Sequence, residues 1–288
     1  MVVVRRVDDV HDFYSRVEAY LVQDEAAHNL LLGICAQLMQ TDDYREPPYL
    51  AYAEEDGRVT GVALRTPPHR LVLSQIADPA TIRALAGDVH ACFPELPGVL
   101  APKPVAEAFF THWRALAGQE ARLLRAERIY CLKRVVAVTG VPGEMCRPDP
   151  GDFDLLVDWM IAFIREALNE ANAREDVERM VWARMGSDER LRGLRLWKHE
   201  GRPLSFAGYG GPTPNGIRIG PVYTPPEHRG HGYASALTAA LSQALLDQGR
   251  SFVFLFTDLS NPTSNHIYQA IGYQPVCDVN EYTFEEGA

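Results

Sequence analysis

Residues 217–273 read IRIGPVYTPPEHRGHGYASALTAALSQALLDQGRSFVFLFTDLSNPTSNHIYQAIGY. In order they give a strand over Ile217–Tyr223, a loop with two glycines, a helix, a second strand, a loop and a last helix. At the centre stands Arg229-Gly230-His231-Gly232-Tyr233-Ala234. A helix N-terminus presents unpaired backbone N–H groups and partial positive charge, and so attracts anions. Two glycines let that backbone approach a bulky anion such as a pyrophosphate. Arg229, His228 and His231 add local positive charge. Behind the loop, Tyr233, Ala236, Leu237, Ala240, Leu241, Ala244 and Leu245 fall on one helical face. Gly249 stands where a C-terminal cap belongs. The apolar run Phe252–Phe256 suits a strand covered on both faces. Strand, helix and strand in this order imply a right-handed crossover between parallel strands.

Three phosphate-binding patterns compete for the loop. A P-loop needs GxxxxGK followed by Ser or Thr, and no lysine is present. A dinucleotide fingerprint needs GxGxxG or GxGxxA directly after a strand. Gly230-x-Gly232-x-x-Ser235 comes near it, but the strand ends early at Pro225-Pro226, and too little chain follows to build the rest of such a sheet. The third pattern fits best. Arg229-x-x-Gly232-x-Ala234 resembles the R/Q-x-x-G-x-G/A signature of the GNAT superfamily of N-acetyltransferases, in which the loop holds the pyrophosphate of coenzyme A. Val222-Tyr223-Thr224 is similar to the end of that family's fourth strand. Asn261, Asn265, Tyr268, Gly272 and Tyr273 resemble its second motif, N…N..Y…GF/Y. Together these cover roughly the last quarter of the chain.

The 288 residues suit two domains better than one. No apolar run approaches the roughly 20 residues of a membrane span, and the N-terminus lacks the apolar core of a signal peptide. Five scattered cysteines without a CxxC pair argue for reduced thiols in a cytoplasm and against a structural zinc site. We expect no metal. A net charge of −10 disfavours nucleic-acid binding, which depends on Lys and Arg. It is compatible with a cationic substrate, although solubility alone also accounts for it.

The N-terminal half reads as a strand at Val2–Arg6, a mostly helical stretch Val10–Ala36, and strands Tyr49–Glu54 and Val59–Arg65 joined by an Asp-Gly turn. A strand Leu71–Ile76, a helix Ala80–Phe93, a short strand Gly98–Ala101, a helix Val105–Ala117 and a strand Arg128–Val136 follow. This order resembles the GNAT order again. However, Asp78-Pro79 stands where the arginine–glycine loop belongs. Asp78 brings negative charge, and Pro79 removes a donor N–H. The resemblance therefore implies a degenerate GNAT-like domain over 1–137; the alternative is an unrelated α/β cap domain.

Residues 138–151 have the proline and glycine content of a linker. Over 152–288 the order is two helices (152–168, with Asp152 as cap, and 174–185), three antiparallel strands (190–199, 203–209 and 217–224) and then the glycine loop. This agrees with a complete GNAT domain. The expected fold is thus α/β (α+β): a mixed, centrally splayed sheet flanked by helices, with two such domains in tandem. The two helices carry Asp154, Asp158, Glu166, Glu170, Glu175, Asp176 and Glu178. In the family the corresponding helices flank the acceptor pocket. The simpler reading is a solvated face balanced by Arg165, Arg174 and Arg179 at helical spacing.

By the resemblance, Val222, Tyr223 and Thr224 offer backbone to pantetheine and thioester. Gly220-Pro221 fits the strand disruption that exposes it. Arg229, Gly230, His231, Gly232, Tyr233, Ala234 and Ser235 hold the pyrophosphate, Asn261 and Asn265 contact the pantetheine arm, and Tyr268 is the candidate general acid. Each has a structural counterpart: Tyr268 as a packed helix tyrosine, the asparagines as caps and turn formers. No general base is assignable, because the strand 217–224 carries no carboxylate and Glu227 lies in the loop. The expected activity is acetyl-CoA-dependent N-acetyl transfer to a small-molecule or peptide amine by direct attack on the thioester, in a cytoplasmic monomer or homodimer. A non-catalytic CoA or acyl-CoA sensor is the competing class. Aminoacyl transfer from a charged tRNA is weaker, since basic residues are few.

Overall fold

The turn Asp56-Gly57 has both residues at positive φ, 50° and 75°, the backbone a tight hairpin demands. It joins β2 (Tyr49–Glu55) to β3 (Arg58–Arg65). The computed structural model describes residues 1–40, 46–186 and 188–285. β1 (Val3–Arg6) pairs with β2, and β4 (Leu71–Leu73) with β3, both antiparallel. β4 stops short of the expected Ile76. The Ser74 hydroxyl accepts from Val62 N at 2.9 Å and His28 Nε2 accepts from Gln75 N at 3.0 Å, so side chains take over from the ladder.

The chain divides into two compact units. The first is Met1–Tyr130 with Phe256–Pro262 and Pro275–Ala288; the second is Cys131–Leu255 with Thr263–Gln274. These are not the continuous segments 1–137 and 152–288 with a free linker. The stretch after Tyr130 packs with the second unit: Val136 N donates to Ile271 O at 2.7 Å, and Trp197 Nε1 to Pro142 O at 2.9 Å. The 138–151 segment also contributes a strand, β7 (Glu144–Cys146).

In the first unit, alternate residues of each strand face opposite layers. Leu50, Tyr52, Val62 and Leu64 pack against Phe13, Val17 and Leu21 of α1 (Val10–Leu21) and Leu31 and Leu32 of α2 (Asn29–Leu38). A 3₁₀ turn, Val22–Asp24, breaks what the sequence suggests is one helical stretch. Ala51, Ala63 and Leu71 face the other layer, with α3 (Pro79–Cys92), β5 (Gly98–Pro102) and α4 (Lys103–Ala117). β6 (Glu120–Leu132) starts well before the expected Arg128. Its partner is the chain's last strand, β12 (Gln274–Glu285), which lies between β5 and β6. Arg122, Arg125 and Arg128 pair with Glu285, Glu281 and Asp278 in reverse sequence order. Charge, not apolar alternation, marks this strand, so an apolar reading misses its first half.

In the second unit β7 pairs with β8 (Gly193–His199), β8 with β9 (Arg202–Gly210) and β9 with β10 (Gly216–Tyr223), all antiparallel. β11 (Phe252–Asp258) runs parallel to β10. Leu156, Val157 and Met160 of α5 (Phe153–Phe163) and Val177 and Val181 of α6 (Arg174–Met185) pack on Leu194, Leu196 and Phe206. Asp149 and Asp152 share a reciprocal capping box at the 3₁₀ turn ahead of α5, with Asp152 Oδ2 accepting from Asp149 N at 2.9 Å; Asp152 stands at the N-cap of α5 as expected, but its side chain makes no bond to that helix. The Asp152 carboxylate is also held by Lys198 Nζ at 2.8 Å. α7 (Tyr233–Asp247) and α8 (Pro262–Ile271) follow the glycine loop and β11 respectively. Gly249, at φ 96°, follows the cap of α7 as expected. Among the described residues no helix is long and apolar enough to cross a membrane.

Candidate active site at the glycine loop

The site begins where two strands part. β10 and β11 pair at Gly216↔Phe252, Ile217↔Val253 and Arg218↔Phe254, and diverge beyond. On its other edge β10 shifts register against β9 between Ile219 and Val222, then resumes at Val222↔Ala207 and Tyr223↔Phe206. Gly220, at φ 154°, precedes a cis peptide to Pro221 within this bulge. A bulge bends its strand and leaves ladder groups unpaired. At Val222 and Tyr223 β10 is thus paired with β9 on one edge, while its β11-facing edge lies beyond the last pair with β11.

After β10 the chain makes a 3₁₀ turn, Pro226–His228, and enters α7 through Gly230 and Gly232, at φ 80° and 81°. A Cβ on Gly230 would meet nothing within 4 Å, whereas one on Gly232 would lie 3.0 Å from Val141 Cγ2. The loop backbone at Gly230 is thus open to a ligand. Gly232 is the N-cap of α7 and no side chain caps that terminus; the first helical bond runs from Ala236 N to Gly232 O at 2.9 Å. The N–H groups of Tyr233, Ala234 and Ser235 precede that first bond and face out of the helix end. Open backbone, a bare 15-residue helix end and diverging strands fit a diphosphate-bearing thioester carrier.

Arg229 is half-exposed. Its Nε donates to Thr224 O at 2.9 Å, and its Nη2 lies 2.6 Å from Glu166 Oε2. The other oxygen of Glu166 accepts from the Tyr223 hydroxyl at 3.1 Å. The guanidinium carbon stands 5.7 Å from the centroid of the Tyr223 ring. The Arg229 hydrogen bond, foremost, holds the Glu166 carboxyl below its ordinary value. Burial and then the bond to Glu166 push the Tyr223 phenol up. The cation that the sequence assigns to the loop is therefore matched by a carboxylate. His231 Nδ1 lies 2.8 Å from Arg229 O, and its ring stacks on Tyr233 with centroids 5.5 Å apart.

Glu166, which the sequence groups with the solvated carboxylates of these helices, turns instead to Arg229 and Tyr223. It stands in a π-helical turn, Ile164–Leu168, that continues α5 and closes on Asn169 at φ 53°. Other carboxylates of these helices do have the local partners expected of a solvated face: Arg174 meets Asp158 at 2.7 Å and Glu178 at 3.0 Å, and Arg179 meets Asp176. The available signal was spacing. Ala162, Phe163, Asn169 and Glu170 leave Glu166 without a basic residue three or four positions away.

Tyr268 sits half-buried on α8, its ring edge-on to Tyr273 with centroids 6.0 Å apart. Burial pushes its phenol up to about 12. The Tyr273 hydroxyl lies 2.8 Å from Ser242 Oγ on α7, so the Tyr268 ring is braced, through Tyr273, against the helix that follows the glycine loop. Asn265 is half-buried on α8, in the second unit, whereas Asn261 lies in the stretch that groups with the first. Among the described residues no group of three or more His, Cys, Asp or Glu is placed to hold a metal ion.

The equivalent corner of the first unit is built differently. Asp78 caps α3, its carboxylate accepting from Ala80 N and Thr81 N, each at 3.1 Å, and from Thr81 Oγ1 at 3.2 Å. The helix end that would receive an anion already has one from its own chain.

A bulged strand parting from its parallel neighbour, then a glycine loop and a helix end without a side-chain cap, defines an α/β domain built around that helix end. Residues 156–273 match the model of the Acetyltransferase (GNAT) family, so the chain carries a GNAT domain there. Solved structures share the fold beyond that domain. A tandem GNAT protein from the clavulanic acid biosynthesis pathway superposes with a TM-score of 0.58 at 15% identity, covering 100% of this chain and 99% of its own. A GNAT-family acetyltransferase from Colwellia psychrerythraea gives 0.62 at 11% identity, with 98% and 100% covered. A GCN5-related N-acetyltransferase from Sphaerobacter thermophilus gives 0.61 at 15%, with 98% and 94% covered. No curated protein matches the sequence.

Proposed function

We propose that the protein is an acetyl-CoA-dependent N-acetyltransferase that uses the second unit for catalysis. The observation that carries this reading is the bare N-terminus of α7 behind Gly230 and Gly232, next to the divergence of β10 and β11. The N–H groups of Gly230 through Ser235 hold the pyrophosphate, and the edge of β10 at Val222–Thr224 holds pantetheine and thioester. Acetyl-CoA supplies the activated acyl group. The amine nitrogen forms a bond to the acyl carbon, the carbon–sulfur bond breaks, the nitrogen loses a proton and the thiolate gains one. Backbone donors on the edge of β10 that parts from β11 stabilise the developing oxyanion, and Tyr268 donates to the sulfur. Its raised phenol is protonated before the reaction, so a proton is available to the leaving thiolate.

Glu166 does not serve as the base in this scheme, because both its oxygens are engaged and its carboxyl is held low. The amine loses its proton to solvent. The absence of a free carboxylate on β10 favours a second reading, a non-catalytic CoA sensor. We assign the first unit a non-binding role, since Asp78 occupies the helix end that a pyrophosphate needs. A cytoplasmic location and an amine acceptor of small-molecule or peptide type complete the proposal. Thermal unfolding with acetyl-CoA, NADH or ATP tests the cofactor, because a ligand at about 100 times its dissociation constant stabilises a fold by about 2.7 kcal/mol. A shift with NADH and none with acetyl-CoA overturns the assignment. Thiol release on adding amines then separates enzyme from sensor.

A further inference from the structure

We propose that Glu166 is a positioning residue of the cofactor site: its carboxylate fixes Arg229 and offsets its charge, so that the glycine loop holds a pyrophosphate reversibly. This rests on the acetyl-CoA reading above. Both oxygens of Glu166 are committed to that end of the domain, Oε2 to Arg229 Nη2 at 2.6 Å and Oε1 to the Tyr223 hydroxyl at 3.1 Å. Arg229 is held on a second side, by Nε to Thr224 O at 2.9 Å. The guanidinium is thereby pinned between the end of β10 and the start of the loop.

The placement is built into the helix. α5 ends in the π-helical turn Ile164–Leu168, and such turns change which residues a helix presents on a given face. While Asp158, Asp176 and Glu178 pair within their own two helices, Glu166 reaches to the loop. The consequence is electrostatic. A helix N-terminus is equivalent to roughly half a positive charge. Arg229 and Glu166 together add nothing to that formal charge, so attraction for a pyrophosphate comes chiefly from backbone amides. Without the carboxylate, a full cation stands beside the loop and a polyanion binds more tightly. A transferase must release its coenzyme product in every cycle, and a neutralised Arg229 makes that release easier.

The test is the affinity for acetyl-CoA and for acetyl-pantetheine, which lacks the pyrophosphate, by isothermal titration of the full chain. Glu166→Gln is expected to tighten acetyl-CoA about three- to tenfold, with a steeper salt dependence, and to leave acetyl-pantetheine unchanged. Glu166→Asp keeps the charge and is expected to bind as the unmutated protein does. In an Arg229→Gln background the effect of Glu166→Gln should vanish. A merely structural role predicts the opposite sign, since a loosened site binds less well. If the unmutated protein binds acetyl-CoA and Glu166→Gln, folded by circular dichroism, binds it equally or more weakly, the inference is overturned. If Glu166→Asp tightens binding as much as Glu166→Gln, charge is not the cause. If the unmutated protein does not bind acetyl-CoA, the cofactor reading fails first and takes this inference with it.

Discussion

Ser242 Oγ and the Tyr273 hydroxyl meet at 2.8 Å, both residues fully buried. The bond ties α7, which begins at the glycine loop, to the residue that packs against Tyr268. Ser242 also donates to Thr238 O at 2.7 Å, so removing the tyrosine hydroxyl leaves the serine with a partner. Tyr273→Phe should therefore cost only about 0.5–1.5 kcal/mol, the worth of one hydrogen bond. Urea unfolding measures it. A loss of 3 kcal/mol or more, well above the roughly 1 kcal/mol expected, would mean that the bond organises more than its own contact.

Tyr268→Phe separates chemistry from packing. The ring and its contact with Tyr273 remain, and the proton is lost. A positioned general acid contributes about 10²–10⁴ in rate, so kcat should fall within that range while the dissociation constant of acetyl-CoA is unchanged. The phenol is raised to about 12 by burial, so it stays protonated below that pH. No alkaline decline in kcat below about pH 10, the ordinary phenol value, should then arise from Tyr268, and any such decline should persist in Tyr268→Phe. A decline that disappears in the variant assigns the titration to this residue and contradicts its burial.

The glycine loop, its helix and the three strands ahead of it were legible because each has a local cause. Gly230 and Gly232 need positive φ, the apolar face of α7 repeats with helical spacing, and the 210–216 turn is dense in Gly and Pro. What was not legible depends on partners distant in sequence. β6 declares itself only once Asp278, Glu281 and Glu285 lie beside Arg128, Arg125 and Arg122. The Glu166–Arg229 pair joins a π-turn to a loop 63 positions along the chain, beyond the three-to-four spacing by which charges on a helix are read. Asp152 stands at the N-cap of α5 without bonding to it, because its carboxylate is taken by Asp149 N and by Lys198 on a distant strand.

Asp78 gives the first unit a prediction about stoichiometry. Its carboxylate satisfies the end of α3 at Ala80 and Thr81, so titration with acetyl-CoA should give one site per chain. Asp78→Ala removes an N-cap and should cost about 1 kcal/mol. The bound ratio should stay at one, because Pro79 still lacks a donor N–H at the first helical position. A second binding event in the unmutated chain would show that the first unit retains a cofactor site elsewhere.

The last strand supplies the sharpest stability contrast. Glu281 on β12 is 6% exposed and faces two cations, Arg125 at 2.7 Å and Arg70 at 3.0 Å. Removing one partner of a buried ion pair leaves charge uncompensated and costs about 3–5 kcal/mol, so Glu281→Ala should be strongly destabilising. Glu285, paired with Arg122 at 3.2 Å, is 60% exposed, as is its partner at 63%. An exposed pair contributes about 0–1 kcal/mol, so Glu285→Ala should be nearly silent. Asp278 lies between these extremes and adds a pH dependence. The Arg128 hydrogen bond holds its carboxyl below the ordinary 3.8. Its contribution is thus fully present above that value and is lost as pH falls through the lowered one. Acid unfolding of Asp278→Asn should accordingly show a shallower loss of stability below about pH 4, the ordinary carboxylate value. An unchanged acid limb would mean that the pair, one-third exposed on each side, is screened by solvent and holds β12 by its backbone alone.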